Sequence, residues 1–362
     1  MSEEPAEATQ IQTSGAGAVR SGHQFDEARL ADWLRAQLPS FRGPLVVEQF
    51  KGGQSNPTFK LSLDGRAYVM RRKPAGEIHR SAHAVDREYR VLSALAETGF
   101  PVPRTIGLCT DDSVIGSWFY VMEMVEGRIF WDANLPELPP AERAACFDSM
   151  NETMARLHQV DYAAAGLDDF GRPGNYVERQ IARFSQQYLA DADAGRYETM
   201  DRLIEWLPAH MPAEDARAIV HGDFKPDNMI FHPVEPRVIA VLDWELSTLG
   251  NPAADFAYNV MMYRMPEGLA NAVVAPDPAA RGLPSEADYV AAYCRRTGRG
   301  GLPDLSYYIA FNMFRLAAIL HGIHGRVLRG NASSAHAHLQ IKRLPALAQA
   351  AWDQAERSMR GD

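Results

Sequence analysis

The spacing of apolar residues changes character several times along the chain. Leu30, Trp33, Leu34 and Leu38 recur at three- and four-residue intervals, which predicts a helix over residues 26–38. The alternation then shortens to a period of two. "LVVEQF", "TFKLSL" and "RAYVMRR" predict three short strands, and "LDG" at 63–65 predicts a hairpin turn between the last two. Residues 77–99 predict one long helix closed by Gly99, with "FPVP" beyond it. "RTIGLCT" and "SWFYVMEMV" return to the strand pattern. Residues 45–125 thus predict a small sheet interrupted by one helix.

After Gly127 the period is mostly helical. Residues 139–160 start with proline and carry apolar residues three and four apart. "YVERQIARFSQQYLADA" and "YETMDRLIEWLPAH" continue the pattern, as do "LSYYIAFNMFRLAAILHGIHGRVL" and the tail from His336. Two short β-like runs, 228–232 and 237–244, flank "PVEP" and predict a hairpin. There is no internal repeat. The expectation is an α+β, bilobal chain: a tail over 1–22, a β-rich N-terminal lobe over 23–125, and a mainly helical C-terminal lobe over 126–362. A ligand is expected in the cleft between such lobes.

Composition narrows the class. The 362 residues are 46% hydrophobic, enough for a large core, and 37 basic against 46 acidic residues leave a net charge of -9. So acidic a chain is a poor non-specific ligand for nucleic acid. Cys109, Cys146 and Cys294 are far apart with no CxxC spacing, against a disulfide framework or zinc site and in favour of a reducing, cytoplasmic location. No apolar run approaches a membrane span. "MSEEPAEATQIQTSGAGAVRSG" has no apolar core of a signal peptide and reads as a disordered tail.

The candidate chemistry lies in "IVHGDFKPDNMIF", residues 219–231. Polar groups in a strand-like setting need partners. Asp223 and Asn228 are five apart on a loop entering a strand, and Asp243 ends the apolar run "VIAVLD" twenty residues after Asp223. The intervening hairpin returns Asp243 toward the loop. One carboxylate can serve an acceptor hydroxyl, while a carboxylate and an amide offer hard oxygen ligands to Mg²⁺. Phosphoryl transfer needs that combination.

"HGDFKPDN" followed by "LDWE" resembles the aminoglycoside phosphotransferase and choline kinase family, which shares the protein-kinase fold. "FKGGQSNPTFKL", "YVMRRKP", "DREYRVLSAL", "GFPVP", "FYVMEMVEGRIF" and "VIAVLDWELSTLGNPAADFAY" follow in the family's order. "VMEMVEGRIF" and "LDWELSTLG" resemble most the kinase-like domains fused to, or encoded near, acyl-CoA dehydrogenases. The resemblance implies ATP and Mg²⁺ as cofactors, Asp223 as catalytic base, and Asn228 and Asp243 as metal ligands. It implies that Lys225 approaches the transferring phosphate, that Asp255 supports the loop, and that His221 is scaffold. It places the adenine at the carbonyl of Glu123 and the N–H of Val125.

Independent signals lie in the N-terminal lobe. "GGQSN" can offer backbone N–H groups of Gly52, Gly53, Ser55 and Asn56 to phosphates, although it lacks the G-x-G-x-x-G spacing. Period-2 alternation puts Val69, Arg71 and Lys73 on one face. Val69 would cover the adenine and Arg71 would reach the phosphates, where most kinase-like folds carry lysine; Lys73 is the alternative. Glu88 is the natural partner to orient Arg71.

Three acceptors stay open. A hydroxyacyl group, free or carried on coenzyme A, ranks first by the resemblance, with "CRRTGRG" and "HGRVLRG" as phosphate contacts and a functional link to acyl-CoA dehydrogenases implied. A polyamine-like drug needs acids such as those of "DADAG" and "LDDFG". Choline needs an aromatic cage, for which Tyr162, Tyr176, Tyr258 and Tyr263 are available. An inactive nucleotide-binding regulator is the reading of another class; it is disfavoured because Asp223, Asn228 and Asp243 are all present. Gly222 stands where a phosphate-reading arginine would be, and no A-P-E segment follows, against activation-loop control. His321 and His324 read as a helix lining the acceptor cleft or a plain helix end, since no third ligand stands near them in sequence.

Overall fold

The computed structural model describes residues 15–51, 56–74, 84–172, 174–213, 216–266, 269, 272–273, 281–330 and 341–361. The chain forms two compact units. The first runs to Trp131 and takes in Ile230–Pro233 and Ile239–Glu245; the second holds the rest.

The first unit is built on an antiparallel sheet of β1 (Ala16–Gly17), β2 (Val46–Phe50), β3 (Thr58–Leu63), β4 (Arg66–Arg72), β5 (Thr105–Cys109) and β6 (Phe119–Glu123), in the order β1-β2-β3-β4-β6-β5. Asp64 and Gly65 both have positive φ, 47° and 78°, the I′-type geometry that matches strand twist, and Leu63 pairs with Arg66 across the turn. Alternation buries Phe59, Leu61, Tyr68 and Met70 on one face, against Leu30 and Leu34 of α1 (Glu27–Gln37). Asp26 caps α1 by accepting from Ala28 and Arg29 N–H groups at 3.0 Å each. α2 (Val85–Glu97) buries Val91, Leu92 and Leu95. Among the described residues this helix begins at Val85, after Ala84; the expected start at 77 lies in 75–83, outside them. A four-residue helix, α3 (Asp112–Ile115), was too short for periodicity to show.

Of the tail expected over 1–22, residues 15–22 lie among the described ones, and they include a strand. Ala16 pairs with Phe50 and Gly17 with Gln49, so small residues that bury little still gain backbone hydrogen bonds at a sheet edge.

The predicted hairpin forms from β8 (Met229–Phe231) and β9 (Val238–Val241). Its inner part belongs to the first unit: Arg128 and Phe231 exchange backbone hydrogen bonds of 2.8 Å, and the Val241 N–H donates to the Pro101 carbonyl at 2.8 Å.

The second unit is helical, with α4 (Pro140–His158), α5 (Tyr176–Ala190), α6 (Glu198–Ala209), α7 (Pro252–Val260), α8 (Glu286–Thr297), α9 (Leu305–Leu328) and α10 (Leu344–Arg360). α9 is apolar nearly all round and packs against α5, α7 and α10, as an enclosed helix must. A two-stranded sheet of β7 (Ala218–Val220) and β10 (Thr248–Gly250) pairs Ile219 with Leu249. Three residues per strand carry no readable period, so sequence reasoning did not pair them. No described helix is long and apolar enough to cross a membrane.

Candidate active site

In the second unit, β7 delivers the chain into the loop His221–Asn228. Gly222 has φ 84°, and a Cβ there would lie 3.1 Å from Leu246 Cβ, so geometry and space both favour glycine. Beneath the loop stands Asp255 on α7, a helix capped by Asn251. Its oxygens accept from the backbone N–H groups of His221 and Gly222 at 2.8 Å each, and His158 Nε2 lies 3.2 Å away. Burial alone would raise this carboxyl; His158, His221 and the backbone donor hold it below the usual aspartate value. Arg315 on α9 donates to the Gly222 carbonyl.

Asp223 is thereby presented at the loop. Tyr258 donates its hydroxyl to Oδ1, Asn228 Nδ2 donates to Oδ2 at 3.0 Å, and Lys225 Nζ lies 3.5 Å from Oδ2. Burial pushes the carboxyl up, but Lys225, Tyr258, His221 and Asn228 together keep it lower than an ordinary aspartate, hence ionised. Lys225 also lies 3.1 Å from Asp227 Oδ2, and the two acids hold its ammonium charged against the opposing effect of burial. Burial pushes Asp227 itself up. His221 is fully buried, with Nδ1 3.2 Å from the Asp223 N–H, a scaffold position. Asp223, Lys225 and Asn228 are therefore brought together. Asn228 also uses its Nδ2 on the Asp223 main-chain oxygen at 2.9 Å, which leaves Oδ1 as the face it can turn to a hard cation.

The first unit carries a second charged group. Arg71 Nε lies 3.1 Å from Glu88 Oε2, and its Nη2 lies 2.9 Å from Asp243 Oδ1 and 3.9 Å from Glu245 Oε2. Glu88 is 1% exposed and accepts from Tyr120 Oη and Asn56 Nδ2 at 2.9 Å each. Burial pushes its carboxyl up, and Arg71, Tyr120 and Asn56 pull it back toward the ionised form. Burial disfavours the Arg71 charge, but Glu88, Tyr120 and Asp243 outweigh it. Asp243 has φ 65°, the left-handed region that aspartate tolerates better than most residues. Its carboxylate is the hard oxygen chemistry Mg²⁺ prefers.

The other predicted contacts fall as follows. Asn56 is buried and turns its amide to Glu88. Val69 lies in β4 opposite Met122. The Glu123 N–H closes β6 on the Arg104 carbonyl at 2.8 Å, and half-buried Val125 follows. The backbone N–H of Lys73 is bonded to Trp118. Gly52, Gly53 and Ser55 lie outside the described residues. Tyr258 and Tyr120 were not read as orienting groups; each stands far along the chain from the carboxylate it serves. His321 is buried with Nε2 2.8 Å from the Gly195 carbonyl and its ring 4.4 Å from Tyr188.

A cavity of about 210 Å³ opens in the second unit beside the Asp223 loop. Met261, Met262, Leu316 and Leu320 form apolar wall, and Lys225 and Arg343 are its cations. No described carboxylate lines it. The basic segments proposed for phosphate contact are partly engaged by the protein: Arg296 bonds Asp148 at 2.8 Å, and Arg329 bonds Asp191 at 2.7 Å.

A β-rich unit with an Arg–Glu pair and a helical unit with a strand-to-loop aspartate define a kinase-like fold. Residues 46–308 match the phosphotransferase enzyme family, and the chain belongs to that family. It is 44% identical to mouse "Acyl-CoA dehydrogenase family member 10" over 338 residues, covering 92% of this chain and 32% of that protein. The chain thus spans about a third of that relative. A crystal structure from Ralstonia eutropha, named "putative aminoglycoside phosphotransferase", is 50% identical with a TM-score of 0.84, covering 92% of this chain and 99% of that one. A thermostable mutant of aminoglycoside phosphotransferase APH(4)-Ia, in ternary complex with ADP and hygromycin B, shares the fold at 16% identity with a TM-score of 0.58, covering 89% of this chain and 98% of that one.

Proposed function

We propose that this phosphotransferase moves the γ-phosphoryl group of ATP to a hydroxyl of a small molecule, with Asp223 as the base. The observation that carries the reading is the ionised Asp223 carboxylate, fixed by Tyr258 and Asn228 beside a cavity. In the transfer the acceptor oxygen bonds to the γ-phosphorus, the bond from that phosphorus to the β–γ bridging oxygen breaks, and ADP leaves. The acceptor proton passes to Asp223. Lys225 faces the same space and adds positive charge where phosphoryl oxygens gather negative charge. Arg71, oriented by Glu88, is the phosphate contact of the first unit, and guanidinium serves phosphate bidentately. Asn228 and Asp243 would hold Mg²⁺, which supplies charge neutralisation to the phosphates.

The finer reading concerns the acceptor. The cavity's apolar wall and its two cations suit a molecule with an aliphatic part and anionic groups. A polycationic aminoglycoside finds no carboxylate among the described lining residues. The Tyr258 ring already faces the Arg315 guanidinium at 5.1 Å, which weakens the choline cage. A hydroxyacyl acceptor, including a coenzyme A thioester, is the proposed class, and the names of the relatives support a link to acyl-CoA dehydrogenase chemistry. The test is ADP release from ATP and Mg²⁺ against hydroxyacyl-CoAs, free hydroxy acids, choline and aminoglycosides. Turnover with an aminoglycoside or choline alone would overturn the acceptor class.

A further inference from the structure

The segment from Gly15 to Phe25 lies outside every site role assigned so far, yet it is fastened to the first unit at several points. The Lys51 N–H donates to the Gly15 carbonyl at 3.2 Å, extending the β1–β2 pairing. Arg20 Nη2 donates to the carbonyls of Phe50 at 3.0 Å and Lys51 at 2.6 Å. Buried Gln49 accepts from the Arg20 N–H at 3.0 Å, and its Nε2 lies 2.7 Å from His23 Nδ1. One segment therefore grips the end of β2 from both its backbone and its side chains.

The same segment covers Arg72, which is only 3% exposed. Arg72 Nη1 donates to the His23 carbonyl at 3.3 Å, and its guanidinium stands 5.5 Å from the Phe25 ring and 5.7 Å from Phe59. Its Nε is buried without a hydrogen-bond partner. A guanidinium in this position is held by a carbonyl and two aromatic faces. Without them it would return to water, since burying a charge is costly unless partners replace its hydration. Successive residues of a strand point to opposite faces, so seating Arg72 on one face sets Arg71 on the other, toward Glu88 and Asp243.

We infer that residues 15–25 form a strap that positions Arg71 for the nucleotide phosphates, with Arg20 as its anchor on β2 and Arg72 as the pin it covers. Arg20 and His23 touch no substrate and act through the strands they hold. The inference rests on the proposed role of Arg71 as phosphate contact.

The test compares ATP and adenosine binding by calorimetry in the full-length wild type, Arg20→Ala, Arg20→Lys and His23→Ala. Arg20→Ala is expected to weaken ATP binding about five- to tenfold, the worth of one or two hydrogen bonds, with adenosine changed less than twofold. Arg20→Lys, which keeps one donor, should recover part of the ATP affinity. His23→Ala is the second variant should Arg20→Ala fail to fold, and it is expected to show the same selectivity for ATP over adenosine. Wild-type ATP affinity in both folded variants would overturn the strap, as would equal losses for ATP and adenosine. A wild type that binds ATP no better than adenosine would overturn the phosphate role of Arg71 itself, and the strap with it.

Discussion

Arg71 and Asp243 are bonded to each other, Nη2 to Oδ1 at 2.9 Å, although one is the proposed phosphate contact and the other the proposed metal ligand. A guanidinium shared between Glu88 and Asp243 ties the two roles together. Arg71→Ala should weaken ATP binding about tenfold or more, the worth of a charged hydrogen bond, while adenosine binding changes little. Arg71→Lys should keep part of the affinity as a point charge without the fork. Calorimetry with the two ligands separates these outcomes; equal losses would make Arg71 a folding residue.

Asp243→Asn removes the negative charge proposed for the metal. Mg²⁺-dependent ATP affinity should fall by about tenfold or more, and turnover should vanish with it. Removing the metal with a chelator should abolish wild-type turnover and leave the melting temperature within a few degrees. Binding titrations with and without Mg²⁺ measure the difference directly. An affinity that ignores both metal and mutation would take Asp243 out of the site.

Asp223→Asn keeps the shape of the side chain and removes its charge. Turnover should fall by about 10² to 10⁴, the usual contribution of a positioned base, with ATP affinity nearly intact. Tyr258→Phe is a milder change. It deletes the donor to Oδ1, so the carboxylate gains basicity but loses orientation. Orientation should dominate, lowering kcat about tenfold with the KM for ATP unchanged. Steady-state kinetics on both variants would show whether the tyrosine acts through the aspartate.

Asp255 offers a test of stability instead of turnover. Asparagine there could accept from only one of the two backbone N–H groups and would present its own NH₂ to the other. Asp255→Asn should cost roughly 3–5 kcal/mol, as breaking a buried charged arrangement does. The pH dependence has a defined sign. The folded carboxyl lies below its unfolded value, so its stabilisation is complete above the unfolded range near 4 and is lost as pH falls through the folded value. The melting-temperature gap between wild type and variant should be constant at neutral pH and close only in acid. A gap already absent at neutral pH would take the Asp255 charge out of the loop's support.

Much of this was legible where chemistry and local period coincide. "HGDFKPDN" placed Asp223, Lys225 and Asn228 on one loop, and the alternation in "YVMRR" put Val69 and Arg71 on one face. Glu88 was found because a helix after a strand had a carboxylate to offer. Tyr258 and Tyr120 were less accessible, since an aromatic at helix or strand spacing reads as core until its hydroxyl is seen to reach a carboxylate. The segment 15–25 escaped for a different reason. Its attachment uses backbone pairing and carbonyl acceptors, which any sequence possesses, and a small-residue stretch carries no sign of a distant edge strand. The β7–β10 pair is equally silent, because three residues cannot display a period.

The first unit is not one continuous stretch of chain. It borrows Ile230–Pro233 and Ile239–Glu245 from beyond Trp131. A truncated gene ending at residue 131 would therefore encode an incomplete body. Phe130 would lose Phe231, its ring partner at 5.0 Å, Phe100 would lose Trp244 at 6.0 Å, and Arg71 would lose Asp243. Cutting this protein after Trp131 should yield an insoluble fragment. By the same reasoning, a functional transplant of the first unit must carry both segments, and cannot be assembled from residues up to Trp131 cloned by themselves.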